Sequence, residues 1–411
     1  MPSGHYVTSI FCPKKPSGPD ETSMGAVAAS DMNENTDFVL VKRTSSALEK
    51  VAPGAKRVLS GMVADALALA KREQSALNPS KFRIGDYDWC EPDYRQIHVW
   101  AKAIGIPPEQ IIDILKKDTP DTCWAKPAPA FYEGRLLRLS WDLMKLPLKK
   151  FEWVEGLRIT HFSLKTLLGV SDEQRVLNDL NLVLPHLTHL GCYGSQGFNR
   201  AQGLNPAADA WSRILNLLST PELKELACIG CGLSDLELSS SKKLQSLTCP
   251  FNRLSQLDLS PVPDLTFLEC GHNHLSQLDL SVVPSLTVLD CADNGLAELD
   301  ISNVSRLTFL NCEKNELTHL PFPTMSELNF LDCSKNSLSN LELSSIQNLT
   351  SLYCSENKIA QLDLNMTPRL ETLSCDSNYI RILDIRSLKF LKDFYYDRGK
   401  VHLIQRPDQN F

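Results

Sequence analysis

Glycine is scarce in this chain, 19 residues among 411. None of them falls in a G-x-S-x-G elbow, a P-loop or a G-x-G-x-x-G turn, so no nucleophile elbow and no phosphate cradle is written here. The nine histidines are scattered, without HExxH or any other paired-ligand spacing, so no metal site and no cofactor is expected. Positive charge is in deficit, 42 Lys+Arg against 49 Asp+Glu for a net charge of −7. That balance argues against a surface that tracks phosphates, and nucleic acid is not an expected partner. No stretch approaches the length of apolar chain that a transmembrane helix needs. The first residues show neither an apolar h-region nor a small-residue cleavage site, so Sec-type export is not expected. At 43% hydrophobic and 22% charged residues the chain has the composition of a folded protein. It is too long for one ordinary core, which leaves several domains or a repeat array.

The cysteines decide between these. Eight of the 13 stand at a fixed interval of 21: Cys228, Cys249, Cys270, Cys291, Cys312, Cys333, Cys354 and Cys375. Disulfide frameworks and zinc sites do not space single cysteines in this way, whereas a fixed period of this length marks a solenoid. Each cysteine follows leucines five and two residues earlier, as in Leu265, Leu268, Cys270. Three residues after it comes an asparagine (Asn252, Asn273, Asn294, Asn315, Asn336, Asn357, Asn378), replaced by Cys231 in the first regular repeat. This is the leucine-rich-repeat pattern, L-x-x-L-x-L-x-x-N/C-x-L.

The spacing predicts eight regular repeats over 223–390, each a short strand in a parallel sheet followed by an extended or 3-10 return. The asparagine is expected to satisfy backbone groups where the chain leaves the strand. The cysteine column reads as small core residues rather than chemistry, because stacked side chains run parallel and do not converge on a metal or a disulfide.

With these residues in view, 223–390 resembles the bacterial leucine-rich-repeat proteins built on 21-residue units, and the cysteine column is similar to that of internalin J-type repeats. The resemblance implies a protein-binding solenoid of the kind found in surface adhesins and host-interaction proteins. It departs from them in showing no Sec signal and no wall anchor. A protein secreted without a Sec signal into host cytoplasm, like leucine-rich-repeat type III effectors, or one kept in the bacterial cytoplasm, is the better expectation.

The rest of the chain is read around that array. Residues 1–45 are a polar leader, either a secretion signal or an idle tail. Residues 46–130 form a small helical domain, with an apolar stripe at Leu59, Met62, Val63, Ala66, Leu67 and Ala70. Two further helices, Tyr94 to Ile104 and Pro108 to Lys117, meet at Gly105-Ile106-Pro107. Their cadence is that of a helix-turn-helix, but the second helix offers Glu109, Gln110 and Asp113 where a DNA reader needs basic and amide groups. Asp86, Asp88, Glu91 and Asp93 lack the spacing of a calcium loop and read as helix N-terminal charges. Residues 131–222 are longer, irregular repeats, with strands expected at Leu136–Leu139, Leu157–Ile159 and around Cys192. Residues 391–411 begin another repeat at Leu391 and Phe394 and close the solenoid with a polar-faced cap.

No enzyme is expected. The alternative is a ubiquitin-ligase-like activity in 46–130, where Cys90 and Cys123 are the thiols and Cys90 sits among acids that disfavour a thiolate. A third possibility is an internal bacterial scaffold.

Binding is expected on the outward strand positions. One outward column reads Glu225, Ser246, Phe267, Val288, Phe309, Phe330, Ser351, Thr372; the next reads Ala227, Thr248, Glu269, Asp290, Asn311, Asp332, Tyr353, Ser374. An aromatic stripe beside an acidic one has the make-up of an interface hot spot. Phe267, Val288, Phe309, Phe330, Tyr353, Glu269, Asp290 and Asp332 are the candidate partner-binding residues, for a protein partner, suspected to be a host protein, that presents an apolar ridge with basic neighbours. The competing reading is that the Phe column packs within the chain.

Overall fold

The structure is a computed structural model, which describes residues 82–117, 131–132, 135–136, 138–142, 157–159, 161–165, 186–194, 220–409 and 411. The leader, the stripe from Leu59 to Ala70 and Cys123 lie outside these residues. Two compact units divide the chain, Met1–Arg83 with Cys123–Ala125 and Ile84–Thr122 with Lys126–Phe411. Everything described below, except Phe82 and Arg83, belongs to the second.

The described chain opens with a two-stranded ribbon, β1 (Arg83–Ile84) and β2 (Tyr87–Asp88), and a helical hairpin, α1 (Glu91–Ile104) and α2 (Pro108–Lys117). Gly105, left-handed at φ 82°, stops α1 by donating its N–H to Ala101 O, a backbone geometry that glycine adopts without strain. Ile97, Trp100, Ile111, Ile112 and Leu115 are buried in and around the hairpin. The acidic cluster divides differently from the sequence reading. Asp86 and Asp88 belong to the ribbon, and only Glu91 and Asp93 lie in the first turn of α1. Asp93 is fully buried, and its Oδ1 accepts the Leu136 N–H at 2.9 Å. A side chain of the hairpin thereby satisfies a backbone donor just ahead of the solenoid's first strand.

After a short antiparallel pair, β3 (Phe131–Tyr132) and β4 (Arg135–Leu136), come β5 (Arg138–Asp142), β6 (His161–Lys165), β7 (His189–Tyr193) and β8 (Glu225–Ile229). Seven three-residue strands follow at the repeat interval: β9 (Ser246–Thr248), β10 (Phe267–Glu269), β11 (Val288–Asp290), β12 (Phe309–Asn311), β13 (Phe330–Asp332), β14 (Ser351–Tyr353) and β15 (Thr372–Ser374). β16 (Ile382–Asp384), β17 (Asp393–Tyr395) and β18 (His402–Ile404) end the chain. Strands β5 to β15 and then β17 make one 12-stranded sheet in sequence order, its neighbours parallel and in register; β16 pairs with β18 apart from it. The fold is a leucine-rich-repeat solenoid.

One early strand is displaced from its expected place, and another is divided. The strand is His161–Lys165, not Leu157–Ile159, and the expected Leu136–Leu139 is split between the end of β4 at Leu136 and the start of β5 at Arg138. The register explains both. Leu164 pairs with Cys192, and Cys192 with Cys228, so Leu164 stands at the ladder position. Ile159 and Leu136 are then the buried leucine-type residues that precede a strand, equivalent to Leu187 and Leu223, which are likewise buried.

Inside each regular coil the frame residues are sealed. Leu265, Leu268, Cys270 and Leu275 are inaccessible to solvent, and Leu280 and Val283 close the far wall. At about 2 kcal/mol for each buried leucine, this repeated frame is the main source of stability. Thiol after thiol from Cys228 to Cys375 lies in the same column, all free and all buried.

Polar groups are matched between coils. Asn294 donates to Cys270 O at 3.2 Å, Cys291 O at 3.1 Å and Ala292 O at 3.2 Å, while its Oδ1 accepts the Leu275 N–H at 2.9 Å. The same set recurs at Asn252, Asn273, Asn315, Asn336 and Asn357. Cys231 takes the role at the start, its thiol donating to Cys192 O at 3.3 Å. Gln409 takes it at the end, donating to Ile385 O at 3.0 Å and Leu388 O at 2.9 Å. A threonine row, Thr266, Thr287 and Thr308, adds one hydroxyl bond per coil to the carbonyl of the preceding coil.

Two residues past each ladder cysteine the backbone turns left-handed, at Phe251, His272, Asp293, Lys314, Lys335, Glu356 and Ser377, with φ between 53° and 58°. Each of the first six donates its N–H to a carbonyl of the next coil, as His272 does to Ala292 O at 2.7 Å. The ladder bond offsets the strain that a side chain meets in this conformation. Where the irregular and regular coils join, a Cβ on Gly194 would collide with the Gly230 carbonyl, so the close approach of the two backbones requires glycine.

Candidate concave-face interface

The alternation that sends leucine and cysteine inward sends the neighbouring strand residues to the concave face. In-register pairing runs Phe267↔Val288↔Phe309↔Phe330↔Ser351 in one column and Glu269↔Asp290↔Asn311↔Asp332↔Tyr353 in the other. Adjacent members are therefore held about 4.8 Å apart by the sheet itself. All eight sequence-selected residues stand on this one face, half-buried.

The aromatic part is ordered. Phe309 and Phe330 stack with centroids 4.4 Å apart and planes 7° from parallel, and Tyr353 leans on Phe330 at 5.6 Å. Val288 separates Phe267 from this group, so the continuous aromatic row is Phe309, Phe330 and Tyr353. The rings pack against one another along the column, as the competing reading holds, and remain half-exposed to whatever meets the face.

The acidic part lacks neutralising partners. Among the described residues no ion pair reaches Glu269, Asp290 or Asp332. Among the described residues Glu269 also accepts no side-chain hydrogen bond, whereas Asp290 accepts from Ala292 N–H at 3.0 Å and Asn311 Nδ2 at 3.0 Å, and Asp332 from Ser334 N–H at 2.9 Å. Burial, reinforced by Asp290 on the next strand, pushes Glu269 up to about 7. Burial raises Asp332 to about 6 against the opposing pull of its Ser334 hydrogen bonds, and it raises Asp290 as well. Burial also raises the Tyr353 hydroxyl, with Asp332 adding to the effect.

A feature the sequence reading missed flanks these columns. On the left-handed ridge, Phe251 stacks on His272 with centroids 4.3 Å apart, His272 Nδ1 lies 2.8 Å from Asp293 Oδ2, and Lys314 Nζ lies 3.1 Å from the same oxygen. Lys335 Nζ pairs with Glu313 at 2.7 Å. The repeat period places these residues in one column, and that was the available signal. The cations beside the acidic column are thus engaged on the ridge.

Burial drives the ladder thiols from Cys249 to Cys375 upward, and among the described residues no group of three His, Cys, Asp or Glu could hold a metal ion. No described helix is long and apolar enough to cross a membrane. Toward the C-terminal end Phe390 and Tyr395 are each 58% exposed and Tyr379 67%, and in the expected cap Arg398 and Lys400 are exposed as well. There Phe394 stacks on Tyr396 at 4.5 Å and meets Phe411 edge-on at 5.4 Å.

The leucine frame, the asparagine ladder and the sealed thiol column together define a leucine-rich-repeat solenoid with a cysteine ladder, an architecture that presents its sheet as a binding surface. No family model matches the chain, and no curated protein does. Solved structures with a similar trace include the functional domain of InlJ from Listeria monocytogenes, which contains a cysteine ladder. It is 25% identical with a TM-score of 0.40, over 63% of this chain and 60% of that one. InlF from the same organism is 17% identical with a TM-score of 0.40, over 71% of this chain and 94% of that one. LIC12759 from Leptospira interrogans is 16% identical with a TM-score of 0.32, over 63% and 90%.

Proposed function

We propose that the chain is a non-catalytic protein-binding module whose partner docks on the concave sheet between Phe267 and Tyr353. The observation that carries this is the row Phe309, Phe330 and Tyr353, mutually packed and half-exposed, beside carboxylates that form no ion pair among the described residues. Aromatic anchors already held by their neighbours lose little freedom on binding, which is the physical character of a hot spot. The partner surface that fits is an apolar ridge with basic neighbours. The finer reading, a bacterial protein secreted without a Sec signal that engages a host protein, is supported by the resemblance of the repeat pattern. An internal bacterial scaffold would use the same face on a bacterial partner.

Pull-downs from eukaryotic and bacterial lysates, comparing wild type with the Phe309→Ser/Phe330→Ser variant, test both levels. The wild type retains a partner that the variant loses, while circular dichroism of the two proteins stays the same. A eukaryotic partner supports the effector reading, and a bacterial one the scaffold. Equal retention by both proteins removes the concave face from the account.

A further inference from the structure

Resting on this docking reading, we propose that the concave seat takes a cationic, arginine- or lysine-bearing peptide segment of its partner and that acidification releases it. Three carboxylates stand on the face, and two of them, Glu269 and Asp290, are directly opposed on adjacent strands. Like charges so placed repel, and a half-buried carboxylate without a counterion has lost hydration that nothing replaces. Either of two things relieves that situation: a proton taken from solvent, or a cation brought by a partner. The two compete for the same oxygens.

The surroundings leave the choice to the ligand. Glu269 faces Thr248 on one side and Asp290 on the other. Asp290 faces Glu269 and Asn311 within the column; His272 and Glu313 act on it from the ridge with opposite signs, and His272 is held by Asp293. Asp332 faces Asn311 and Tyr353; Glu313 and Lys335 act on it with opposite signs and are paired with each other. Beneath the column lie Cys270, Cys291 and Cys333, whose thiols are raised by burial and stay neutral. Among the described residues the cations that act on this column, His272 and Lys335, are already engaged on the ridge. The aromatic row supplies the second half of the seat, since Phe330 and Tyr353 on either side of Asp332 offer ring faces and edges to an alkyl stem or a guanidinium.

The direction of the pH effect follows. Above neutrality Glu269, near 7, and Asp332, near 6, are ionised and attract the cation; as pH falls through that range both take up protons and the attraction is lost. A partner held by apolar contacts alone would show no such loss.

The experiment uses the full chain and a short fluorescein-labelled peptide of alternating arginine and leucine, followed by anisotropy. The peptide binds at about pH 8 and weakens at least about tenfold by about pH 5, the change expected when a required ionised form is depleted by a unit or more. In Glu269→Gln/Asp332→Asn, binding at the higher pH is weaker and the pH dependence flattens. A glutamate-leucine peptide fails to bind at either pH.

Affinity that is flat or rises on acidification overturns the proposal, and so does a peptide that fails to bind at about pH 8. Carbon-13 NMR of the carboxyl groups checks the proton step without any ligand: Glu269 titrating in the ordinary carboxylate range also overturns it. The two levels separate cleanly. Binding lost in Glu269→Gln/Asp332→Asn but kept in Phe309→Ser/Phe330→Ser upholds proton-dependent release and removes the aromatic anchors; the reverse pattern removes the release and keeps the docking surface.

Discussion

A single asparagine does in this fold what several residues do elsewhere. Asn315 donates to Cys291 O, Cys312 O and Glu313 O at 3.1 to 3.3 Å and accepts from Leu296 N–H at 3.1 Å. Replacing it by alanine strands a buried amide and the carbonyls it bridged, each costing roughly 1–3 kcal/mol when left unpaired. Asn315→Ala is therefore expected to lose about 2–4 kcal/mol in urea denaturation, and a loss below about 0.5 kcal/mol would mean that the ladder bonds are replaced rather than missed. This role was legible beforehand because the same side chain recurs at every coil. The ionisation of Glu269 and Asp332 was not. Their outward direction follows from the alternation, but their desolvation depends on which residues the next strands set beside them, and that is a property of the register.

At the scale of elements, the regular strands were readable, while one early strand was displaced and another divided. Ile159 and Leu136 have the look of inward strand residues because they are apolar in a polar stretch of chain, yet they fill the leucine position that precedes a strand of the main sheet. Without a second coil of equal length, periodicity cannot say which apolar residue belongs to which position. The bond between Leu136 and Asp93 was invisible for another reason: its partners are 43 residues apart, and Asp93 belongs to no repeat. That bond ties the helical hairpin to the start of the solenoid, and it is buried. Asp93→Ala is expected to speed amide exchange of Leu136 by about ten- to a hundredfold, the equivalent of 1.4–3 kcal/mol, with the amides of β10 to β14 unchanged. Uniform acceleration along the whole sheet would show instead that the solenoid opens as one body.

For the whole molecule, the raised carboxylates set how stability responds to pH. Between the ordinary carboxylate range and about 7, the folded chain holds protons on Glu269 and Asp332 that the unfolded chain has already released. Protons therefore favour the folded state there, and this contribution is full at low pH and lost as pH rises through 6 to 7. Asp258, Asp279 and Asp300 on the return side run the other way: hydrogen bonds from Ser260, Ser281 and Ser302 hold them below the usual range, so their contribution fades only in stronger acid. The melting temperature is expected to rise by about 2–4 °C from about pH 8 to about pH 5, the shift that roughly 1 kcal/mol produces in a domain of this size, and to fall in stronger acid. Glu269→Gln/Asp332→Asn should flatten the rise while leaving the acid limb in place. A melting temperature that falls steadily from pH 8 to pH 5 would contradict the burial of these groups.

The asparagine ladder joins each coil only to the coil before and the coil after, and this has a mechanical consequence. Tension applied across the two ends loads the bonds between neighbouring coils in series, so the coil at an end yields before one flanked on both sides. Each yielding regular coil releases 21 residues, about 70 Å of slack chain, and leaves the next coil as the new end. The regular array therefore lengthens in even increments, like a spring unwound one turn at a time. The coils that carry Phe309 and Phe330, flanked on both sides, would be among the last to give way.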